Sequence, residues 1–242
     1  MLRILIAVFI FIFTSSAFAA LDFPQNLNAS ERKTALSILG FGTASKLLSS
    51  PYPLGGFHGV EVGMTSEYIP LADLAGLGTK SNSKTDLNYF NLMLGKGLFY
   101  NLDLFVHFIP MPQDESVSGY GAQLRWGFYE TKFMPAALSL VVHGSGTNIN
   151  NLLGAETTGV DLVGSVNMRD VSLFFGIGQA RSVGTFVGGA DGVTDTGNTE
   201  SADVYSPHTM FGISIKMASV FIALEVDRYV QSTYAGKLGV RF

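Results

Sequence analysis

The chain closes on "YAGKLGVRF", residues 234–242. Tyr234, Gly236, Leu238, Val240 and Phe242 share one parity, and Ala235, Lys237, Gly239 and Arg241 the other. Strict alternation over this length is the period of a β-strand, whose side chains point to opposite faces in turn. One face is apolar and the other carries two cations. A strand with no tail beyond it is expected to pair with another strand, and the rest of the sequence indicates which.

The same period recurs upstream from about residue 56. In "GFHGVEVGMTSEY", Val60, Val62 and Met64 alternate with Glu61, Gly63 and Thr65. In "LDLFVHF", Leu102, Leu104, Val106 and Phe108 alternate with Asp103, Phe105 and His107. "GYGAQLRWGFY", "GVDLVGSVN" and "VFIALEVDRY" repeat the pattern. The series predicts about ten strands, each near the 9–11 residues that a tilted strand needs to cross a bilayer. Connections alternate between long ("PLADLAGLGTKSNSKTD", "GTNINNLLGAE", "RSVGTFVGGADGVTDTGNTESADV") and short ("MRD", "MAS"). Long loops on one side and short turns on the other describe an up-and-down meander.

Composition narrows the class. The chain has 242 residues and no cysteine, so disulfides are excluded. Only 14% of residues are charged, while 47% are apolar, 12% are aromatic and 28 are glycines. A soluble surface alone wants about 25–35% charged residues. The net charge of −4 leaves no basic footprint for nucleic acid. "MLRILIAVFIFIFTSSAFAA" combines Arg3, an apolar run and a small-x-small site, which predicts a cleaved signal peptide over 1–20. "NASERKTALSILGFG" predicts a short helix with Ser30 as N-cap, Glu31 in the first turn, a stripe of Ala35, Leu36 and Leu39, and Gly40 as its stop. Residues 21–53 form this helix and a linker, either periplasmic or folded into a lumen as a plug. Residues 54–242 form the barrel.

Two barrels produce such alternation. A soluble one points its apolar face inward to hold a ligand. A membrane one turns that face to lipid. Here the second face is rich in Gly and Ser and poor in Lys and Glu, too bland to solvate an exterior. Aromatics such as Tyr120 and Phe128, or Tyr234 and Phe242, bracket the apolar faces like interfacial girdles. The expected fold is all-β: a closed antiparallel up-and-down transmembrane barrel of about ten strands (eight to twelve) with a short N-terminal helix. The soluble exported ligand-binding barrel is the alternative.

With the signal, the meander and the terminal "GKLGVRF", the chain resembles the bacterial outer-membrane β-barrel proteins, small and porin-like, with no specific family indicated. The resemblance implies that Phe242, Val240 and Leu238 are the signal read by the barrel-assembly machinery. It also implies an outer-membrane location, contact with outer-membrane lipid and lipopolysaccharide, both termini periplasmic, and a monomer. Its function would be that of a narrow or gated channel for small solutes, or of a structural or surface-interaction barrel, without enzymatic activity or cofactor.

Lumen-lining candidates follow from parity: Glu61, Asp103, His107, Gln123, Arg125, His143, Asp161, Glu225, Asp227, Lys237 and Arg241. Pairing of the first and last strands would bring Lys237 or Arg241 to Glu61. Such pairs fill a small barrel or set the ion preference of a pore. In "HGSGTNIN", His143 and Ser145 are similar to the His-x-Ser pair of lipid-acting barrel hydrolases, an enzymatic alternative. Here Gly146 replaces the asparagine that usually follows the serine, and parity turns the pair toward the lumen. The four histidines, at 58, 107, 143 and 208, fall on separate strands with no metal-ligand spacing, so no metal is expected. Asp191, Asp195, Asn198, Glu200 and Asp203 read as a solvated acidic loop rather than a calcium site.

Overall fold

The computed structural model describes residues 23–79, 84–110, 117–131 and 135–242. The signal segment 1–20 lies outside the described residues. One helix, α1 (Ala29–Gly42), precedes ten strands: β1 (Val60–Pro70), β2 (Asp86–Gly97), β3 (Leu102–Phe108), β4 (Val117–Glu130), β5 (Ala136–Ile149), β6 (Leu153–Met168), β7 (Val171–Phe186), β8 (Glu200–Met217), β9 (Val220–Arg228) and β10 (Ser232–Arg241). Each strand pairs antiparallel with its sequence neighbours, and β1 pairs with β10, so the sheet closes. The up-and-down barrel of about ten strands read from the sequence is the observed fold.

The closing strand answers the question its alternation raised. Glu61 lies opposite Arg241, Met64 opposite Leu238 and Tyr68 opposite Tyr234. Phe242 and Val60 exchange both backbone hydrogen bonds, at 2.9 and 3.1 Å. The final residue therefore completes the ladder against the start of β1 and leaves no edge.

Several local expectations are corrected. The N-cap of α1 is Asn28, not Ser30. Its Oδ1 accepts from the Ser30 and Glu31 amides, and Glu31 Oε2 accepts from the Asn28 amide. This is a capping box in which asparagine takes the part of serine. Gly40 does not stop the helix, which runs to Gly42. A Cβ at Gly40 would fall 2.3 Å from Ser182 Oγ, so the glycine lets the helix backbone lie against the wall. His58 sits in a one-turn 3₁₀ segment, Gly56–His58, rather than on a strand. The connection between β5 and β6 is only 150–152, because both strands extend into what reads as a long loop. Strands β5–β8 run to 14, 16, 16 and 18 residues, beyond the 9–11 expected of each strand.

The lower part of the wall, toward the short turns, is apolar outside. Leu162, Phe175 and Leu224 are 42%, 54% and 58% exposed there. Aromatic rings flank this band. Tyr68 and Tyr234 pair at 6.0 Å toward the long-loop rim, and Trp126 and Phe128 at 5.6 Å toward the other. Inside, large rings face glycines directly across the ladder: Phe105 on Gly95, Phe174 on Gly212 and Phe221 on Gly239. A Cβ at those glycines would lie 2.3, 2.1 and 2.5 Å from the ring. The glycine content thus makes room for aromatic filling of a narrow bore.

Candidate functional site

The bore is occupied by the chain itself. Helix α1 enters from the long-loop rim, and residues 43–54 continue down to the start of β1. Helix residues Ala35, Leu36, Ile38 and Leu39 pack with Leu87, Ile149, Leu153 and Phe186 of the upper wall. Arg32 donates to Leu27 O and Asp195 Oδ1, at 2.7 and 2.8 Å, with Glu200 at 4.0 Å. Two acids of the loop read as solvated therefore tether the helix. Leu27 also bonds Val193 and Asp195 through its backbone. Residues Phe23–Asn28 consequently sit among the long loops, and Phe242 at the short turns.

Below α1, polar wall groups hold the descending segment. Glu225 accepts from the Leu47 and Leu48 amides, at 2.8 and 2.5 Å. Arg125 donates to Leu47 O and Ser49 Oγ, each at 2.6 Å, and its guanidinium lies 3.6 Å from the Phe105 ring centre. Gln123 donates to Lys46 O, and Lys46 caps Gly42 O and Ala44 O at 3.1 and 3.2 Å. Ser50 meets Asn167 at 2.8 Å, Ser139 donates to Pro51 O at 3.0 Å, and the Leu54 amide donates to Asp103 at 3.0 Å. Tyr52 donates to Glu130, and that bond holds its phenol above the usual range.

The remaining acidic groups of the lumen meet other side chains of the wall. Glu61 accepts from Lys237 at 2.6 Å and from Arg241 at 2.5 and 2.9 Å. Glu67 accepts from Tyr89 and Asn91, at 2.7 and 2.6 Å. His208 joins Asp161 and Asp227 through its two ring nitrogens, at 2.7 and 2.9 Å. His143 Nε2 lies 3.2 Å from Asp161 Oδ2, outside hydrogen-bond geometry. His208 stacks on Tyr229, and Tyr229 on Phe41 of the helix, with centroids 4.0 and 5.1 Å apart.

All eleven lumen candidates sit on the inner face of the wall. Ten are buried, and Arg241 is half-buried. They form three groups: Glu61 with Lys237 and Arg241; Asp103, Gln123, Arg125 and Glu225 around the plug; and His143 with Asp161 and Asp227. His107 lies across the ladder from Gly121, outside these groups. Sequence reasoning missed the role of His208, which meets Asp161 only because Gly178 stands between them on β7. It also missed Glu67, Tyr89 and Tyr229. Their signal was inward parity: Glu67 is in phase with Glu61 on "GFHGVEVGMTSEY", and Tyr229 with Glu225 and Asp227 on "VFIALEVDRY". Ser145 is not bonded to His143, whose near neighbour is Asp161, so the pair does not form a nucleophile–base couple.

No family model and no curated protein matches the chain. Solved structures do. It is similar to the N-terminal β-barrel domain of Pseudomonas aeruginosa OprF at 10% identity, covering 77% of this chain and 99% of that one, with a TM-score of 0.39. It is similar to the KdgM porin at 10% identity, 75% and 99% coverage, and a TM-score of 0.36. It is similar to Ail, the attachment invasion locus protein of Yersinia pestis, at 16% identity, 76% and 97% coverage, and a TM-score of 0.30. These are outer-membrane β-barrel proteins.

Proposed function

We propose that the chain is an integral, non-enzymatic outer-membrane barrel that rests closed on its own N-terminal segment. One observation carries this reading: Glu225, Arg125, Gln123 and Asp103 each direct hydrogen bonds at residues 46–54, the segment that fills the bore. The apolar outer band supports the location, since a closed sheet satisfies every backbone group where lipid offers none. Lipid and lipopolysaccharide would cover that band, and the assembly machinery would read Leu238, Val240 and Phe242. With the bore filled, such a barrel would act through its shape and its long-loop rim rather than as a standing pore.

A second reading, a gated channel for small solutes, is favoured by one feature. Residues 49–54 are held mainly by polar bonds that water can replace, whereas α1 is held by an apolar core. The test is conductance of the refolded full chain in a planar bilayer, with and without a lock. The native chain has no cysteine, so Ser50→Cys with Asn167→Cys introduces one defined disulfide. Silence in wild type and locked protein alike is the result expected of a closed barrel. Openings that vanish on oxidation and return on reduction would establish the gate. Steady conductance in both would overturn the plug.

A further inference from the structure

Three strands bring an N,N,O donor set together inside the wall. His143 of β5, Asp161 of β6 and His208 of β8 offer ligand atoms that all lie within 4.8 Å of one another, and all three residues are buried. Two glycines create the space. A Cβ at Gly178 would fall 2.1 Å from Asp161 Oδ1, and one at Gly159 would fall 2.4 Å from His143 Nε2. His143 is 4% exposed, yet neither of its ring nitrogens has a hydrogen-bond partner. Asp161 Oδ2 and Asp227 Oδ2 are likewise unpartnered. A buried polar group left so is costly, and sites of this kind call for a specific account.

We infer that this cluster binds one divalent transition-metal ion, with zinc the best match, through His143, Asp161 and His208. Two imidazoles and a carboxylate are a zinc donor set. Zinc bonds of about 2.0–2.1 Å in tetrahedral array place donors roughly 3.4 Å apart. His143 Nε2 and Asp161 Oδ2 stand at 3.2 Å, and a small rotation of the carboxylate opens the 2.7 Å contact to His208 Nδ1. Asp227 completes the arrangement. It lies 2.9 Å from His208 Nε2, where it accepts that proton and directs the Nδ1 lone pair at the site, as carboxylates behind metal-bound histidines do. Charge agrees: among the described residues the ion pairs of Asp161 and Asp227 are with histidines alone, so a divalent cation between neutral imidazoles balances both carboxylates. The stack of His208, Tyr229 and Phe41 lies beside the site, so the ion would tie the wall together where the plug rests on it.

The test is to refold the full chain in zinc, desalt it, and measure bound metal by atomic emission, with folding checked by heat-modifiable gel migration. One zinc per chain is expected in wild type and in His58→Gln, whose ring is exposed and remote. His143→Gln and His208→Gln should fall to background. Asp227→Asn should weaken retention about 10–100-fold. Should a histidine variant fail to fold, zinc-edge X-ray absorption of the wild type counts imidazole ligands directly, and two are expected. Wild type without retained zinc, a folded His143→Gln that retains as much, or fewer than two imidazoles would each overturn the inference.

Discussion

The two ends of strand β6 are built on opposite plans. Toward the long loops, Leu153 and Ala155 face the bore and Glu156 and Thr158 face outward. Toward the short turns, Val160, Leu162 and Val166 face outward while Asp161 and Ser165 face the bore. The parity never slips, but the chemistry of the two faces exchanges near Gly159. The upper wall closes around α1 as a water-soluble protein closes around its core. The lower wall is inside out, with charges within and apolar side chains without. Alternation fixes which residues share a face. Only the surroundings decide whether that face is a core or a surface.

The sharpest way to break this contrast is to remove a charge where the inside is polar. Glu61 holds the fully buried Lys237 and the half-buried Arg241. Glu61→Leu strands both cations and should cost about 3–5 kcal/mol. Urea unfolding from lipid vesicles, followed by fluorescence of Trp126, the single tryptophan, reads the loss. Adding Lys237→Met should recover much of it, because an apolar pair costs less than an orphaned charge. A Glu61→Leu protein as stable as wild type would mean that water reaches the lower bore freely.

The outer face is tested next, with arginine placed along β6. Leu162→Arg puts a cation in the apolar band and should cost about 2–4 kcal/mol. Glu156→Arg, three pairs of registers nearer the long loops and already polar, should stay within about 0.5 kcal/mol of wild type. Equal costs at the two positions would erase the boundary near Gly159. A Val160→Arg variant of intermediate cost would place it.

This boundary was only half legible in the sequence. The lower strands announce themselves because Val, Leu and Phe alternate with Asp, Gly and Ser, a contrast that hydropathy records. The upper extensions carry Ala155, Thr157, Ala180, Ser182 and Gly184 on their inner face, small residues that admit a helix. Small residues opposite Thr and Gln give almost no contrast, so the stretches around 150–159 and 179–186 read as loops. The lumen charges were legible residue by residue from parity. Strand closure also made Lys237 and Arg241 legible as partners of Glu61, but the contacts with the plug were not legible, because Glu225 meets Leu47 and Leu48 across 178 and 177 positions of chain. The Asn28 cap was missed for a simpler reason: a serine two residues later offered an equally good signal.

The smallest effect is the most discriminating test of where the band ends. Arg181 and Asp203 form a forked pair on the outer face of β7 and β8, at 2.6–3.2 Å, with Tyr205 beside the guanidinium. Roughly half of each side chain is exposed. In water such a pair adds little, since solvent screens it and two long side chains must be ordered to make it. In lipid the same pair would be indispensable, because each charge is the other's only ion-pair partner among the described residues. Arg181→Ala should therefore leave the urea midpoint unchanged. A midpoint that falls as far as that of Glu61→Leu would carry the apolar surroundings up past Tyr205, and the soluble-like part of the wall would shrink to the loops alone.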